Sequence, residues 1–175
     1  MRFTATKLEG AWIVEPERHV DERGFFARTF CAREFQAHGL VDSFVQCNTS
    51  WNAIKGTLRG LHYQLPPSGE VKLVRCTSGS IWDLIVDLRP DSPTYLKHFA
   101  IELTAKNRLA LYIPEMFAHG FQTLEDGTEV FYQMSDFYAP KLASGRCYND
   151  PKLGIKWPLP VASISVKDRT WPLLP

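Results

Sequence analysis

The sequence lacks any apolar run long enough to span a membrane, and its opening, MRFTATKLEGAWIVEP, has no signal-peptide core. A soluble, cytoplasmic protein is therefore expected. It also lacks an excess of charge of one sign: 20 Lys and Arg stand against 19 Asp and Glu, a net charge of +1, with no basic run. That balance argues against nucleic acid as a partner. Only four cysteines occur, Cys31, Cys47, Cys76 and Cys147, scattered with no C-x-x-C pair. Neither a zinc ribbon nor a redox dithiol is encoded, and free thiols filling small apolar gaps are expected in a reducing cytosol. A phosphate-binding loop, a dinucleotide glycine fingerprint and a Ser or Cys nucleophile motif are all missing.

What is present reads as an ordinary globular chain of 175 residues, 45% hydrophobic and 22% charged. One domain over residues 1–175 is expected, large enough to bury a core without staples. No repeat or low-complexity tract interrupts it. Short β-type runs dominate, among them AWIVEP, FVQCNTSW, TLRGLHYQ, KLVRCT, SIWDLIVDLRP, LKHFAIEL, LALYIP, AHGFQTLE and TEVFYQMSDFY. Ser78–Gly79 and Glu125–Gly127 carry the chemistry of hairpin turns. CAREFQAH predicts a helix with Gly39 at its C-terminal stop, and SVKD predicts a short helical turn. Many short strands at regular spacing predict a mainly β fold, a jelly-roll sandwich with one or two short helices.

Alternation along the strands sorts residues into faces. Lys72 shares a side with Val74 and Cys76, and Tyr132 with Val130 and Met134, so both polar groups point into the sandwich. A buried ammonium is costly unless something requires it, which makes Lys72 the first sign of an interior site. His62 shares a side with Leu58 and Gly60. Arg59 falls on the other face unless the strand bulges at Gly60.

Each candidate has a plainer reading. His62 and His119, taken singly, fit hydrogen-bonded structural histidines. A barrel metal site needs an H-x-H pair with a nearby Glu, and here position 64 is Gln64, so no metal is expected. Tyr132 fits a core aromatic, and Arg23 a surface ion-pair partner. Asp168 closes a Ser165–Asp168 capping box. Asp83 and Asp87 are odd acids in an apolar strand, suited to orienting other residues or pairing with arginines.

Together, His, Tyr and Lys on inward faces suit proton transfer at a carbon beside a carbonyl. An imidazole with a reference pKa of about 6.5 can take a proton at neutral pH when a carboxylate fixes its tautomer. The enolate oxygen needs a positive donor, typically worth about 3 kcal/mol, and Lys72 can supply it. A tyrosine on the opposite face can return a proton and invert the centre, with no cofactor. Arginines suit substrate phosphates.

The segments DERGFF, FVQCN, TLRGLHYQ, KLVRC, DLIVDLRPDSPT, LYIPE-FAHGF, VFYQMSDFYAP, DPKLGIKWP and SVKD occur in order from about residue 10 to about residue 170. In them the chain resembles the dTDP-4-dehydrorhamnose 3,5-epimerases, cofactor-independent isomerases of nucleotide-linked 4-keto-6-deoxyhexoses. The resemblance implies a cupin-like jelly roll, a homodimer whose N-terminal strand reaches across subunits, and a nucleotide-sugar substrate. It implies His62 as the base, Asp168 as its carboxylate partner, Tyr132 as the general acid and Lys72 as the enolate stabiliser. Arg23, Gln46, Asn48, Arg59, His119 and Lys167 are implied to contact sugar, diphosphate or nucleoside. Three positions depart from the family pattern: Arg28 and Ala143 stand where acids are usual, and Cys47 where Asp is usual.

Those departures bear on the carrier. An acid at position 28 could accept the thymine N3–H; Arg28 prefers acceptors such as those of cytosine or guanine. A CDP or GDP carrier, inversion at one centre only, and a 3,4-ketoisomerase are thus alternatives within the isomerases. A non-catalytic jelly-roll sugar-binding module and a metal-dependent cupin oxygenase are the rivals from other classes.

Overall fold

The computed structural model describes every residue from Met1 to Pro175. The strands are β1 (Arg2–Ala5), β2 (Trp12–Glu15), β3 (Arg18–Asp21), β4 (Gly24–Ala27), β5 (Gln46–Asn52), β6 (Thr57–Gln64), β7 (Lys72–Ser78), β8 (Ser80–Asp87), β9 (His98–Thr104), β10 (Ala110–Ile113), β11 (Phe117–Thr123), β12 (Thr128–Met134), β13 (Ala143–Gly145) and β14 (Ser163–Ile164). Two short helices, α1 (Ala32–Ala37) and α2 (Val166–Arg169), complete the set.

Two sheets face each other. The first runs β1-β2-β10-β7-β12-β5, and the second runs β13-β6-β11-β8-β9 with β14 added beside β6. The chain changes sheet at almost every connection from β6 to β12, which makes the fold the jelly roll that the strand spacing predicted. β3 and β4 form a separate two-stranded ribbon.

The core explains the strand sequences. Val74, Ile81, Ile85, Leu111, Phe117 and Val130 meet between the sheets and are at most 2% exposed. Each such side chain contributes about 1.5–3 kcal/mol of burial. The outer face of the first sheet is covered too: Phe35 of α1 packs with Leu73, Tyr112 and Val14. The outer face of the second sheet carries Leu61, Leu84, Val86 and Leu153. Buried on both faces along most of their length, β7 and β8 lose clean polar–apolar alternation. The edge strand β5 keeps it: Cys47, Thr49 and Trp51 point out, and Gln46, Asn48 and Ser50 point in.

Two expectations are corrected. Ser78–Gly79 and Glu125–Gly127 are not hairpin turns, because each joins strands of opposite sheets. Gly79 (φ 74) and Gly127 (φ 62) do adopt the left-handed backbone. The glycine records a chain reversal, but not whether the strands pair afterwards. A Cβ on Gly79 would lie 2.4 Å from Thr128 Oγ1, so the two corners pack on one another. Cys76 and Cys147 are buried as expected, whereas Cys47 is exposed on the outward side of β5.

Candidate functional site

The interior site begins with an irregularity in β6. His62 lies opposite His119 of β11 and Arg59 lies opposite Phe121, so two residues of β6 face the single Gly120. This is the bulge at Gly60 that would reconcile the two faces, and it turns Arg59 and His62 to one cavity. Gly60 has φ 126, and a Cβ there would lie 2.5 Å from Gly120 Cα. No other residue fits.

The cavity, about 810 Å³, opens between the two sheets, and its lining includes Arg59, His62, Lys72, His119, Tyr132 and Asp168 as well as Gln46, Asn48 and Lys167. Alternation placed Lys72 and Tyr132 inward, and both line it. They lie on adjacent strands of the first sheet, where Met134 pairs with Lys72 and Tyr132 with Val74. His62 comes from the second sheet. The imidazole and the phenol therefore reach the cavity from opposite walls.

Three acid–base pairs border this space. His62 Nε2 lies 2.5 Å from Asp168 Oδ1, and the His62 side chain is 44% exposed. Burial works against the charged Asp168 carboxyl. The hydrogen bond and charge of His62, the Gly60 N–H and the Ser165 hydroxyl outweigh it and hold the carboxyl below its usual range. An ionised carboxylate only accepts, so Nε2 carries the proton and Nδ1 is left as the basic nitrogen. The helix cap is also real: Asp168 N–H donates to Ser165 Oγ at 3.0 Å. The Asp168 N–H serves the cap, but its carboxylate turns to His62 and Gly60 instead of bonding back to the helix start, so only half of the capping box forms.

The second pair is His119 Nε2 with Asp83 Oδ1, at 2.7 Å and nearly enclosed. The third is Lys72 Nζ with Glu70 Oε1, also at 2.7 Å, with both side chains under 10% exposed. Burial, chiefly, raises the Tyr132 hydroxyl above its ordinary range; Arg59 opposes this and Glu70 adds to it. The phenol thus keeps its proton throughout the neutral range. Arg59 is aimed by Asn52, whose Oδ1 accepts from Nε at 2.7 Å. Asp87, the other odd acid, is spent elsewhere: it accepts from Arg89, Ser92 and Thr94 and fastens the loop after β8.

Arg23 and Arg28 do not line this chain's cavity. Arg23 sits at the turn of the β3–β4 ribbon and pairs with Asp21 at 2.5 Å; Arg28 pairs with Glu34 at 3.1 Å. Ala143, on β13, does line the cavity. Two further residues, Glu70 and Trp171, went unread in the sequence, and Gln64 was read there only as the residue that breaks a metal motif. Glu70 is signalled only by its place two residues before Lys72. Trp171 stands edge-on to the His62 ring at 6.2 Å, with the Lys167 ammonium over its face. Gln64 ties β6 to the loop segments at Ser68 and Phe137–Ala139. No group of three or more His, Cys, Asp or Glu side chains is placed to hold a metal ion. No helix is long and apolar enough to cross a membrane.

A histidine–carboxylate base on one wall, with a phenol and an ammonium on the other, can remove a proton from carbon and return it on the opposite face. Comparison with known proteins agrees with that chemistry. Residues 5–175 match the family model described as dTDP-4-dehydrorhamnose 3,5-epimerase. The chain is 47% identical to the protein of that name from Methanothermobacter thermautotrophicus over 97% of its own length and 92% of the relative's. A crystal structure of the Bacillus anthracis enzyme of that name, with TDP and PPi bound, superposes with a TM-score of 0.96 at 40% identity, covering 99% of both chains. A dTDP-6-deoxy-D-glucose-3,5-epimerase from Legionella pneumophila, in complex with dTDP-4-keto-L-rhamnose, superposes at 0.92 with 37% identity, over 98% of this chain and 92% of the other. The chain belongs to the dTDP-4-dehydrorhamnose 3,5-epimerase family.

Proposed function

We propose that the protein epimerises C3 and C5 of a dTDP-linked 4-keto-6-deoxyglucose to give the 4-keto-L-rhamnose form, without a cofactor. The observation that carries this reading is the placement of His62 and Tyr132 on facing sheets around one cavity, with Lys72 beside the tyrosine. His62 Nδ1 takes the proton from the carbon next to the ketone. The bonding pair moves toward the C4 oxygen, where Lys72 stabilises the enolate. As the ketone re-forms, the Tyr132 hydroxyl gives its proton to the same carbon from the other side, and the centre inverts. Solvent then reprotonates the tyrosine and takes the proton from His62. Asp168 holds the imidazole through both half-reactions. Gln46, Asn48, Arg59, His119 and Lys167 bind sugar and diphosphate.

The protein acts as a cytoplasmic homodimer in this reading. The β3–β4 ribbon exposes Val20 at 77% and Phe26 at 71%, an apolar surface that a second copy would cover. A ribbon laid over the partner's cavity mouth brings Arg23 and Arg28 to the nucleotide. Proton NMR of the dTDP-, CDP- and GDP-linked 4-keto-6-deoxyglucose with the protein tests the reading. Inversion at both centres with a clear dTDP preference is expected. Inversion at C3 alone, a ketone moved to C3, or no turnover of any carrier would overturn it.

A further inference from the structure

Glu70 lies just before β7, two residues from Lys72 and on the same side of the strand. Its neighbour Val71 is fixed by reciprocal contacts with Ser135: Val71 N–H donates to Ser135 Oγ at 2.8 Å, and Ser135 N–H donates to Val71 O at 3.0 Å. The backbone beside Glu70 is therefore pinned to Ser135, and the Glu70 side chain reaches the cavity wall from that fixed point. One oxygen takes the Lys72 ammonium at 2.7 Å; the other, Oε2, is buried with no donor in the protein. Lys72 Nζ also donates to His62 O at 3.4 Å.

An ammonium has three N–H donors. Two are engaged, by Glu70 and by the carbonyl of the proposed base residue itself, which leaves one for a ligand. The other two carboxylates at the site are committed elsewhere, Asp168 to His62 and Asp83 to His119. Glu70 is thus the one counter-charge that offsets burial of the Lys72 ammonium. Lys72 has four rotatable bonds, and without Glu70 only the longer contact to His62 O would hold its ammonium.

We propose that Glu70 is a positioning residue for the epimerisation described above, fixing Lys72 so that its remaining N–H meets the C4 oxygen as the enolate forms. The inference rests on that reading of the site. Glu70 touches Lys72 and not the reacting carbon, so it acts through the lysine. Its effect belongs to kcat, because the enolate charge that Lys72 meets develops only in the transition state.

The test is a kinetic cycle with four proteins: wild type, Glu70→Ala, Lys72→Met and the double variant, with Glu70→Gln as a second variant that keeps an acceptor in place. Glu70→Ala is expected to lower kcat roughly 10- to 100-fold, the cost of a misplaced catalytic group, with KM within about threefold. Glu70→Gln is expected to recover part of that loss. The double variant is expected to be no slower than Lys72→Met alone, since a group that acts through Lys72 has nothing left to act on. Either role would lower thermal stability, since a buried ammonium loses its counter-charge, but a merely structural role would multiply the two kinetic losses. Full kcat in both Glu70 variants, or losses that multiply in the double variant, would overturn the inference while leaving the epimerase reading in place. If His62→Ala, run beside them, turned over normally, the epimerase reading would fail and this inference with it.

Discussion

The two histidine–aspartate pairs of the cavity are near twins in geometry and unlike in setting. His62 and His119 lie opposite each other on neighbouring strands, and each presents Nε2 to a carboxylate, at 2.5 and 2.7 Å. The carboxylates come from different places. Asp83 stands on β8, in the same rigid sheet as His119, and is fully buried. Asp168 arrives from α2, 106 residues beyond His62, on the C-terminal segment. That segment is fastened by a bond from Leu174 N–H to Asp150 Oδ2 and by Cys147 N–H donating to Pro172 O. The His62 side chain is 44% exposed and that of His119 is 11%. A base has to reach a ligand and exchange its proton with solvent between turnovers, which favours His62 for the chemistry and His119 for holding the substrate.

Substitutions can break or sharpen that contrast. The largest effect is expected at His62: His62→Asn should lower kcat by roughly 10³-fold, within the span of a lost general base. Steady-state assays would read it directly, with the protein still folded by circular dichroism. Tyr132→Phe should come next, lowering inversion roughly a hundredfold. Unlike His62→Asn, it should still wash solvent deuterium into recovered substrate, because the base can return a proton to the face it came from. His119→Asn should act mainly on KM, by about tenfold, the worth of one good contact of about 1.4 kcal/mol. It should also lower stability by about 1–3 kcal/mol, since Asp83 loses its donor.

The smallest effect on turnover is expected at Asp87, which is remote from both pairs in function. Burial pushes its carboxyl up, but the bonds from Arg89, Ser92 and Thr94 prevail and lower it from 3.8 to about 2. A folded value below the unfolded one means stability that is fully present above about pH 4 and fades as pH falls toward about 2. Asp87→Asn should therefore remove about 2 kcal/mol at neutral pH and flatten the acid limb of the unfolding curve. Its kcat at 25 °C should match the wild type; a change in kcat without a change in stability would place Asp87 in the catalytic machinery instead.

The sequence revealed the inward faces best. Lys72 and Tyr132 were legible because a polar residue in phase with buried apolar ones has one place to point, and the conflict between Arg59 and His62 announced the bulge at Gly60. Connections were less legible. Gly79 and Gly127 supply the same backbone freedom whether the next strand pairs or crosses to the other sheet. The β3–β4 ribbon escaped notice because RHVD and GFFA lack the burial that gives strands their pattern, and all of β3 is exposed. Glu70 escaped because an acid just ahead of a strand looks like a solvated flank until its lysine partner is seen to be buried. The Asp83–His119 and Asp168–His62 pairs span 36 and 106 residues, separations at which local pattern carries no information.

The unequal roles of the two dyads can be tested by site-resolved deuterium exchange. His62→Asn and His119→Asn would each be incubated with the dTDP-linked 4-keto sugar in D2O, and C3 and C5 followed by NMR. His62→Asn is expected to exchange at neither carbon and His119→Asn at both, more slowly than wild type. Exchange at C3 or C5 that survives in His62→Asn and disappears in His119→Asn would contradict those unequal roles, and would make the buried dyad the base for that centre.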